Sequence, residues 1–305
     1  MKRLMILIAW CAALSTGAFG QSVFSNPITG MGYSYPPVTV APGQLITVFL
    51  AGNVQGTIGA TVQNIAAPVL DVLPPSGCSA PTICSNLTAI TIQVPYELNP
   101  GCGFTNPVCD VVVLTQLIVT VDGIAGTPVD LTPLADQVHI LTACDTVVPG
   151  ASGIAPFDAL PCQPLVTHPD GSMVTEGNPA QGGEELVAYA VGLGLTTPAV
   201  KTGQAAATAT PTSESFALDF NFRPNALATK PTLPYNGTCC APPPVLPPPL
   251  YAGLVPGYVG LYQINFVLPQ PPAGVQACSG TVVSNLTVSL GGQSSFDGAG
   301  ICVTP

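Results

Sequence analysis

The segment that decides the fold is Tyr262-Gln263-Ile264-Asn265-Phe266-Val267-Leu268-Pro269, in which apolar and polar residues alternate until a proline ends the run. A period of two places the apolar side chains on one face of a β-strand. A similar run, Ala89-Ile90-Thr91-Ile92-Gln93-Val94-Pro95, occurs in the first half of the chain. Both runs therefore predict half-buried strands of antiparallel sheets.

Two further pairs of segments repeat along the chain. A turn followed by an apolar strand occurs at residues 40–52 and again at residues 179–192, and a strand that ends in glycine occurs at residues 117–123 and 286–292. Several short strands separated by turn residues are typical of β-sandwiches. The sequence thus predicts an all-β protein with two tandem immunoglobulin-like antiparallel β-sandwiches.

The N-terminus has the pattern of a secretory signal peptide. Lys2 and Arg3 precede an apolar run, and Ala18-Phe19-Gly20 supplies small residues for cleavage. The apolar run is too short to remain as a membrane span, and we expect no transmembrane span in the mature chain. The predicted divisions are a cleaved signal peptide at 1–20, an N-terminal extension at 21–36, sandwich repeat 1 at 37–141, a linker at 142–177 and sandwich repeat 2 at 178–305.

The charge of the chain limits its partners. After cleavage the basic residues are Lys201, Arg223 and Lys230, against fifteen Asp and Glu residues. Nucleic-acid binding requires a basic surface that neutralises phosphates, so we expect no nucleic-acid partner. With 35 prolines, 32 glycines and 7% charged residues, the composition favours strands and turns over long helices.

The cysteines indicate an oxidising compartment. Cys11 lies in the signal peptide, and the even number that remains in an exported chain predicts disulfides. We expect the local pairs Cys78–Cys84, Cys102–Cys109 and Cys144–Cys162, and we expect Cys239 and Cys240 to pair with Cys278 and Cys302 in either order. Zinc sites favour closer Cys or His spacings, so no metal is predicted.

The second repeat resembles a known family. Residues 182–194, the string Gly260-Leu261-Tyr262-Gln263-Ile264-Asn265 and residues 288–295 resemble the uncharacterised Solibacter-type C-terminal domain of secreted acidobacterial proteins, which is related to the IPT/TIG immunoglobulin-like domains. The resemblance implies a sandwich fold and an exported protein, and it implies no catalytic residues. Repeat 1 lacks the Tyr-Gln-Ile-Asn string, so its resemblance is weaker.

Catalytic motifs are missing from the sequence. There is no Gly-x-Ser-x-Gly elbow, and Ser152 is the nearest imitation. His139 is expected in a strand and His168 in a turn, and Glu184 and Glu185 should point to opposite faces of a strand. We therefore predict a protein that is not an enzyme and has no cofactor.

The function predicted from these features is structural or adhesive, through surface contacts of the sandwiches. Residues 21–35 could serve as a donor strand for a sheet edge. The alternative is a polysaccharide-binding module that uses Tyr189, Tyr251, Tyr258 and Tyr262, and a remote alternative is a hydrolase with His139 or His168 beside a Ser and an Asp. The expected partner is an extracellular protein, a polysaccharide or a second copy, and the expected location is secreted, extracellular or at the cell surface, with the periplasm as the other option.

Overall fold

The computed structural model describes residues 23–28, 37–74, 87–98, 115–143, 145, 162–233 and 248–305. Every regular element in these residues is a β-strand, so the predicted all-β class of antiparallel sheets is confirmed. Within the same residues no helix is long and apolar enough to cross a membrane. The predicted signal peptide lies outside the described residues.

In its described residues the first unit contains ten strands in two sheets. They are β1 (Val23–Ile28), β2 (Val38–Val40), β3 (Leu45–Ala51), β4 (Ile58–Val62), β5 (Ile65–Ala66), β6 (Val69–Leu73), β7 (Leu87–Gln93), β8 (Thr115–Val121), β9 (Ile124–Ala125) and β10 (Val129–Pro133). One sheet has the order β1-β3-β7-β6, and the facing sheet has the order β2-β10-β8-β4-β5, with β9 paired to β8. All pairs are antiparallel except β2 with β10. Side chains of both sheets, such as Ile90 and Leu117, form one core.

The second unit repeats this arrangement with nine strands. They are β11 (His139–Ile140), β12 (Val166–Thr167), β13 (Glu185–Val191), β14 (Thr210–Pro211), β15 (Ala217–Asn221), β16 (Tyr251–Leu254), β17 (Tyr262–Val267), β18 (Leu286–Gly291) and β19 (Phe296–Ile301). The larger sheet has the order β11-β13-β17-β16-β14, with β12 on β13, and the smaller sheet has the order β15-β18-β19. A second core lies between them.

The matched segments occupy equivalent places in the two units. The segments at 40–52 and 89–95 form the adjacent antiparallel strands β3 and β7. Those at 179–192 and 262–269 form the adjacent antiparallel strands β13 and β17. The third segment, β8 or β18, lies in the facing sheet. The alternation predicted for residues 262–269 is confirmed in β17. Tyr262, Ile264 and Phe266 are all buried in the second core.

The boundary between the units lies earlier than predicted. Strand β11 falls within the predicted repeat 1, and β12 falls within the predicted linker. In the structure both strands pair with β13 of the second unit. Strands β11 and β12 are only two residues long, so neither can be predicted from an alternation of apolar and polar residues. The N-terminal extension also contributes a strand, because β1 pairs with β3 in the same chain. Its strand is therefore not a free donor in this structure.

A buried tyrosine pair joins the two units. The ring of Tyr96, from the first unit, belongs to the second core. Its hydroxyl lies 3.3 Å from the hydroxyl of Tyr262, and the Tyr262 hydroxyl donates to the Gly194 carbonyl. Burial raises the pKa of both phenols, so both hydroxyls keep their protons. The junction therefore has the character of a protein interior.

Hydrogen bonds around Tyr96 extend this junction. The backbone N–H of Tyr96 donates to Thr202 Oγ1 (2.8 Å), and Thr202 in turn donates to the Glu97 carboxylate. The N–H of Gly203 donates to Gln93 Oε1 (2.7 Å). These bonds fix the end of β7 against a loop of the second unit.

Gly43 makes room for the Tyr96 ring. A Cβ atom at this position would lie 2.0 Å from a carbon of the ring, and the backbone has a φ of +75°. Both the contact and the left-handed conformation require glycine. The turn before β3 thus sets the position of the tyrosine that joins the units.

The cysteine pairing differs from the prediction. Cys278 and Cys302 form a disulfide with each other, so the expected bonds from Cys239 and Cys240 to these two residues are wrong. Cys302 follows β19, and its neighbour Val303 hydrogen-bonds to the Asn285 side chain just before β18. That backbone register brings Cys302 beside the loop of Cys278. Cys162 is also disulfide-bonded, and the other predicted cysteines lie outside the described residues.

We expect Tyr96→Ala to uncouple the two units. Loss of a buried ring should cost about 3 kcal/mol or more, whereas Tyr96→Phe, which keeps the ring, should cost about 1 kcal/mol. Urea unfolding followed by circular dichroism should show one transition for the wild type and for Tyr96→Phe, and two for Tyr96→Ala. A single transition at the wild-type midpoint in Tyr96→Ala would contradict the coupling.

The observed disulfide predicts a defined peptide map and a measurable loss of stability. Non-reducing digestion should release a linked peptide that contains Cys278 and Cys302. Replacing both residues by serine should lower the free energy of unfolding by about 3 kcal/mol, since the bond closes a loop of 24 residues. A peptide that links Cys278 to Cys239 or Cys240 would contradict the pairing.

Candidate functional site

His139 is held between two carboxylates inside the second unit. It lies on β11 as predicted for a strand residue, and only 5% of its surface is exposed. Its Nδ1 lies 2.9 Å from Asp297 Oδ2, and its Nε2 lies 3.1 Å from Asp145 Oδ2. Because carboxylates accept hydrogen bonds, both ring nitrogens act as donors and the imidazole is positively charged.

The pKa of His139 reflects two opposing effects. Burial alone lowers its pKa, but the hydrogen bonds and charges of Asp145 and Asp297 outweigh burial and raise the pKa to about 9. The carboxylates are themselves held, since Thr142 donates to Asp145 and the Ile140 N–H donates to Asp297. The cluster therefore stabilises the fold by linking β11 to β19.

The two histidines offer no free nitrogen for general-base chemistry. His139 faces only carboxylates, and His168 contacts Glu184 Oε1 through Nδ1 (2.6 Å) and the Asn178 carbonyl through Nε2 (3.2 Å). Burial lowers the pKa of His168, but these partners raise it above its usual value. Within the described part of the chain, the ring nitrogens of both histidines bond to these acceptors and not to a serine hydroxyl. Ser152 lies outside the described residues. Among the described residues no His, Cys, Asp and Glu side chains gather in a way that could hold a metal ion.

The four predicted tyrosines occupy different environments. Tyr262 is completely buried at the junction, so it cannot contact a ligand at the surface and its assignment as a binding residue is wrong. Its place in an alternating strand already indicated this, because Ile264 and Phe266 share its face. Tyr258 lies in a turn and is 59% exposed. Tyr189 and Tyr251 are half-buried.

Tyr189 and Tyr251 lie on the outer face of the larger sheet. In the register of the sheet Tyr189 is opposite Gln263, and Gln263 is opposite Gly253. In the next row Asn265 is opposite Tyr251. Side chains directly opposite each other share a face, so the tyrosines and the two amides form one surface, which we call the amide–tyrosine face.

Hydrogen bonds order the amides of this face. Gln263 Nε2 donates to Asn265 Oδ1 (3.0 Å), and Asn265 Nδ2 donates to Glu185 Oε1 (3.2 Å). Glu184, the neighbouring residue, bonds to His168 instead, as expected for residues on opposite faces of a strand. Gln263 and Asn265 are not among the predicted binding residues, although the alternation of the run already turns both away from the core.

A different exposed surface lies at the edge of the first unit. Strand β6 ends the sheet β1-β3-β7-β6, and no strand pairs with its outer edge in the described part of the chain. Leu70, Val72 and Leu73 are all exposed, and Leu70 sits at an irregularity in the pairing of β6 with β7. Exposed apolar edges are sites where another strand can add.

Comparisons with known proteins leave the family open. No family model matches the chain, and no curated protein matches it. Among solved structures, the C-terminal domain of the Streptococcus agalactiae AgI/II polypeptide BspA aligns with 89% of this chain and 97% of its own length, at 10% identity and a TM-score of 0.20. A score this low supports no conclusion about fold or function, and the fold described above rests on the strands themselves.

The His139 cluster predicts a fall in stability at alkaline pH. A group whose pKa is raised in the folded state stabilises fully below its unfolded pKa, near 6.5, and this contribution is lost as pH rises through about 9. The total loss should be on the order of 3 kcal/mol. Unfolding free energies measured across this range should converge between the wild type and His139→Gln, and a difference that stays constant with pH would contradict the assignment.

Proposed function

We propose that this chain is an exported structural or adhesive protein that acts through contacts of its sandwich surfaces rather than through catalysis. The observation that carries the proposal is the exposed edge strand β6, with Leu70, Val72 and Leu73 at the surface. Natural sheets usually protect such edges with charges, prolines, bulges or covering segments. Strand β6 has a single charge, Asp71, and an irregularity at Leu70, while its other side chains are apolar. An apolar edge that is left open is a surface for contact with another chain.

The junction is compatible with the same role. The Tyr96–Tyr262 contact and the bonds around it hold the two sandwiches against each other. Disulfides such as Cys278–Cys302 are consistent with life outside the cytoplasm.

A second copy is the partner that β6 fits most simply. Two β6 strands can pair antiparallel about a two-fold axis, which gives a closed dimer. The same pairing would bring Asp71 of the two copies near each other, in a protein whose formal net charge is −10. Added salt should therefore strengthen the association by screening this repulsion.

We expect Leu70→Lys to weaken self-association. A lysine on the edge adds charge where a second strand would approach, and Leu70 has no cross-strand partner whose packing would be lost. Sedimentation velocity at increasing protein concentration and salt should show dimers for the wild type and monomers for the variant. Ile124→Lys, at another exposed apolar residue of the same unit, is the matched control and should behave as the wild type.

A wild-type protein that remains monomeric at all concentrations would contradict contact through β6. Equal association of Leu70→Lys and the wild type would do so as well, because a dimer would then use another surface.

A further inference from the structure

We infer that the amide–tyrosine face of the second unit binds a neutral polysaccharide. The inference deepens the adhesive part of the proposed function by naming a ligand class, and it rests on an extracellular location. It rests on the outer face of the sheet formed by β13, β17 and β16, a surface separate from the edge strand β6.

The position of Tyr251 is the first step. Its hydroxyl donates to the carbonyl of Leu254 (3.1 Å), three residues farther along the chain. A Cβ atom on Gly253 would lie 2.4 Å from this hydroxyl and 2.6 Å from the ring carbon Cζ. The ring therefore lies along its own strand over Gly253 instead of projecting into solvent, and it offers an anchored apolar platform.

The second step is what surrounds this platform. Gly253 is opposite Gln263, and Gln263 is opposite Tyr189, so the Tyr251 ring and Tyr189 lie on either side of one amide. Asn265 continues the polar row beside Tyr251. Sugar rings present C–H groups on their faces and hydroxyls at their rims, and they are recognised by aromatic rings flanked by side chains that both donate and accept hydrogen bonds.

The amides are prepared for this role. The chain Gln263 to Asn265 to Glu185 fixes the orientation of both amides. An amide has two donors and an acceptor with two lone pairs, so each retains capacity for a ligand. Side chains that are already ordered lose less conformational entropy on binding.

Charge selects among polymers. The carboxylate of this face is Glu185, while Lys230 donates to the Gln293 carbonyl and Lys201 acts on Glu97 at the junction. Arg223 follows β15 in the opposite sheet. A face with a carboxylate and without a cation repels anionic polymers. Its uncharged amides and aromatic rings match the hydroxyls and C–H groups of a neutral polymer.

The shape fits an extended ligand. A groove of about 250 Å³ adjoins Tyr251 and is also lined by Glu214, Ser215, Pro249 and Leu250. Its lining also includes Phe216 and Ala252, so the groove lies at the edge of the sheet beside Tyr251. A larger depression in the first unit, of about 460 Å³, is lined by Gln63, Asn64, Thr115, Gln116, Ile118 and Asp130 and has no aromatic platform.

The test is retention of the oxidised full-length exported protein on cellulose, mannan, xylan and β-1,3-glucan, with polygalacturonate as the anionic polymer. The wild type should be retained by at least one neutral polymer and not by polygalacturonate. Tyr251→Ala should weaken retention about tenfold or more, as expected for the loss of a central aromatic contact. Leu227→Ala, at an 85% exposed residue between β15 and β18 of the smaller sheet, is the control and should leave retention unchanged.

Further variants separate binding from folding. Tyr251→Phe keeps the platform and should retain binding, and Tyr189→Ala should reproduce the loss from the other side of Gln263. Thermal unfolding of each variant identifies any that fail to fold.

Three results would overturn the inference: no retention on any neutral polymer, equal losses in Tyr251→Ala and Leu227→Ala, or retention on polygalacturonate alone. Each leaves the proposed contact through β6 to be judged separately by sedimentation. Conversely, selective retention together with a monomeric protein would support this face and remove the self-association.

Discussion

The junction around Tyr96 is the contact on which the arrangement of the whole molecule depends. A residue of the first sandwich contributes its ring to the core of the second, and its hydroxyl meets that of Tyr262 away from water. Two buried hydroxyls need partners, because an unsatisfied polar group in an interior costs free energy. The Gly194 carbonyl completes the set. Since Tyr262 lies on the central strand β17, the junction also sets which face of that strand is turned outward.

The strands and their repeat could be predicted from the sequence, whereas several contacts could not. Alternation reveals the long strands such as β17, but β11 and β12 are two residues long and owe their pairing to β13 alone. The prediction that Tyr262 binds a ligand followed from its residue type. The alternation of the strand instead places Tyr262 in the core. The partner of Cys302 depends on the register of β18 and β19, which local spacing does not encode.

The histidines show how a chain with few basic residues solves an electrostatic problem. Carboxylates that are partly withdrawn from water are stabilised by positive partners or by several hydrogen-bond donors. Here Asp145 and Asp297 share His139, and Glu184 takes His168. All four ring nitrogens of the two imidazoles are hydrogen-bonded within the fold. The two histidines therefore serve structural contacts, although their residue type would suggest catalysis.

The outer face of the smaller sheet of the second unit is covered by a chain segment, whereas the outer face of the larger sheet is not covered in the same way. This difference leaves the larger sheet's outer face available for binding. The segment after β15 lies over β18 and β19, where Ala228 packs on Gly298 and Pro231 packs on Gly291. The Thr229 N–H donates to Ser289, which anchors this cover. Both faces of β18 are consequently buried. On the larger sheet the outward residues are half-buried tyrosines and ordered amides, which a protein interior would accommodate only with further partners. A surface of this composition is stable in water. It also suits a ligand whose hydroxyl groups replace the bound water molecules as hydrogen-bond partners.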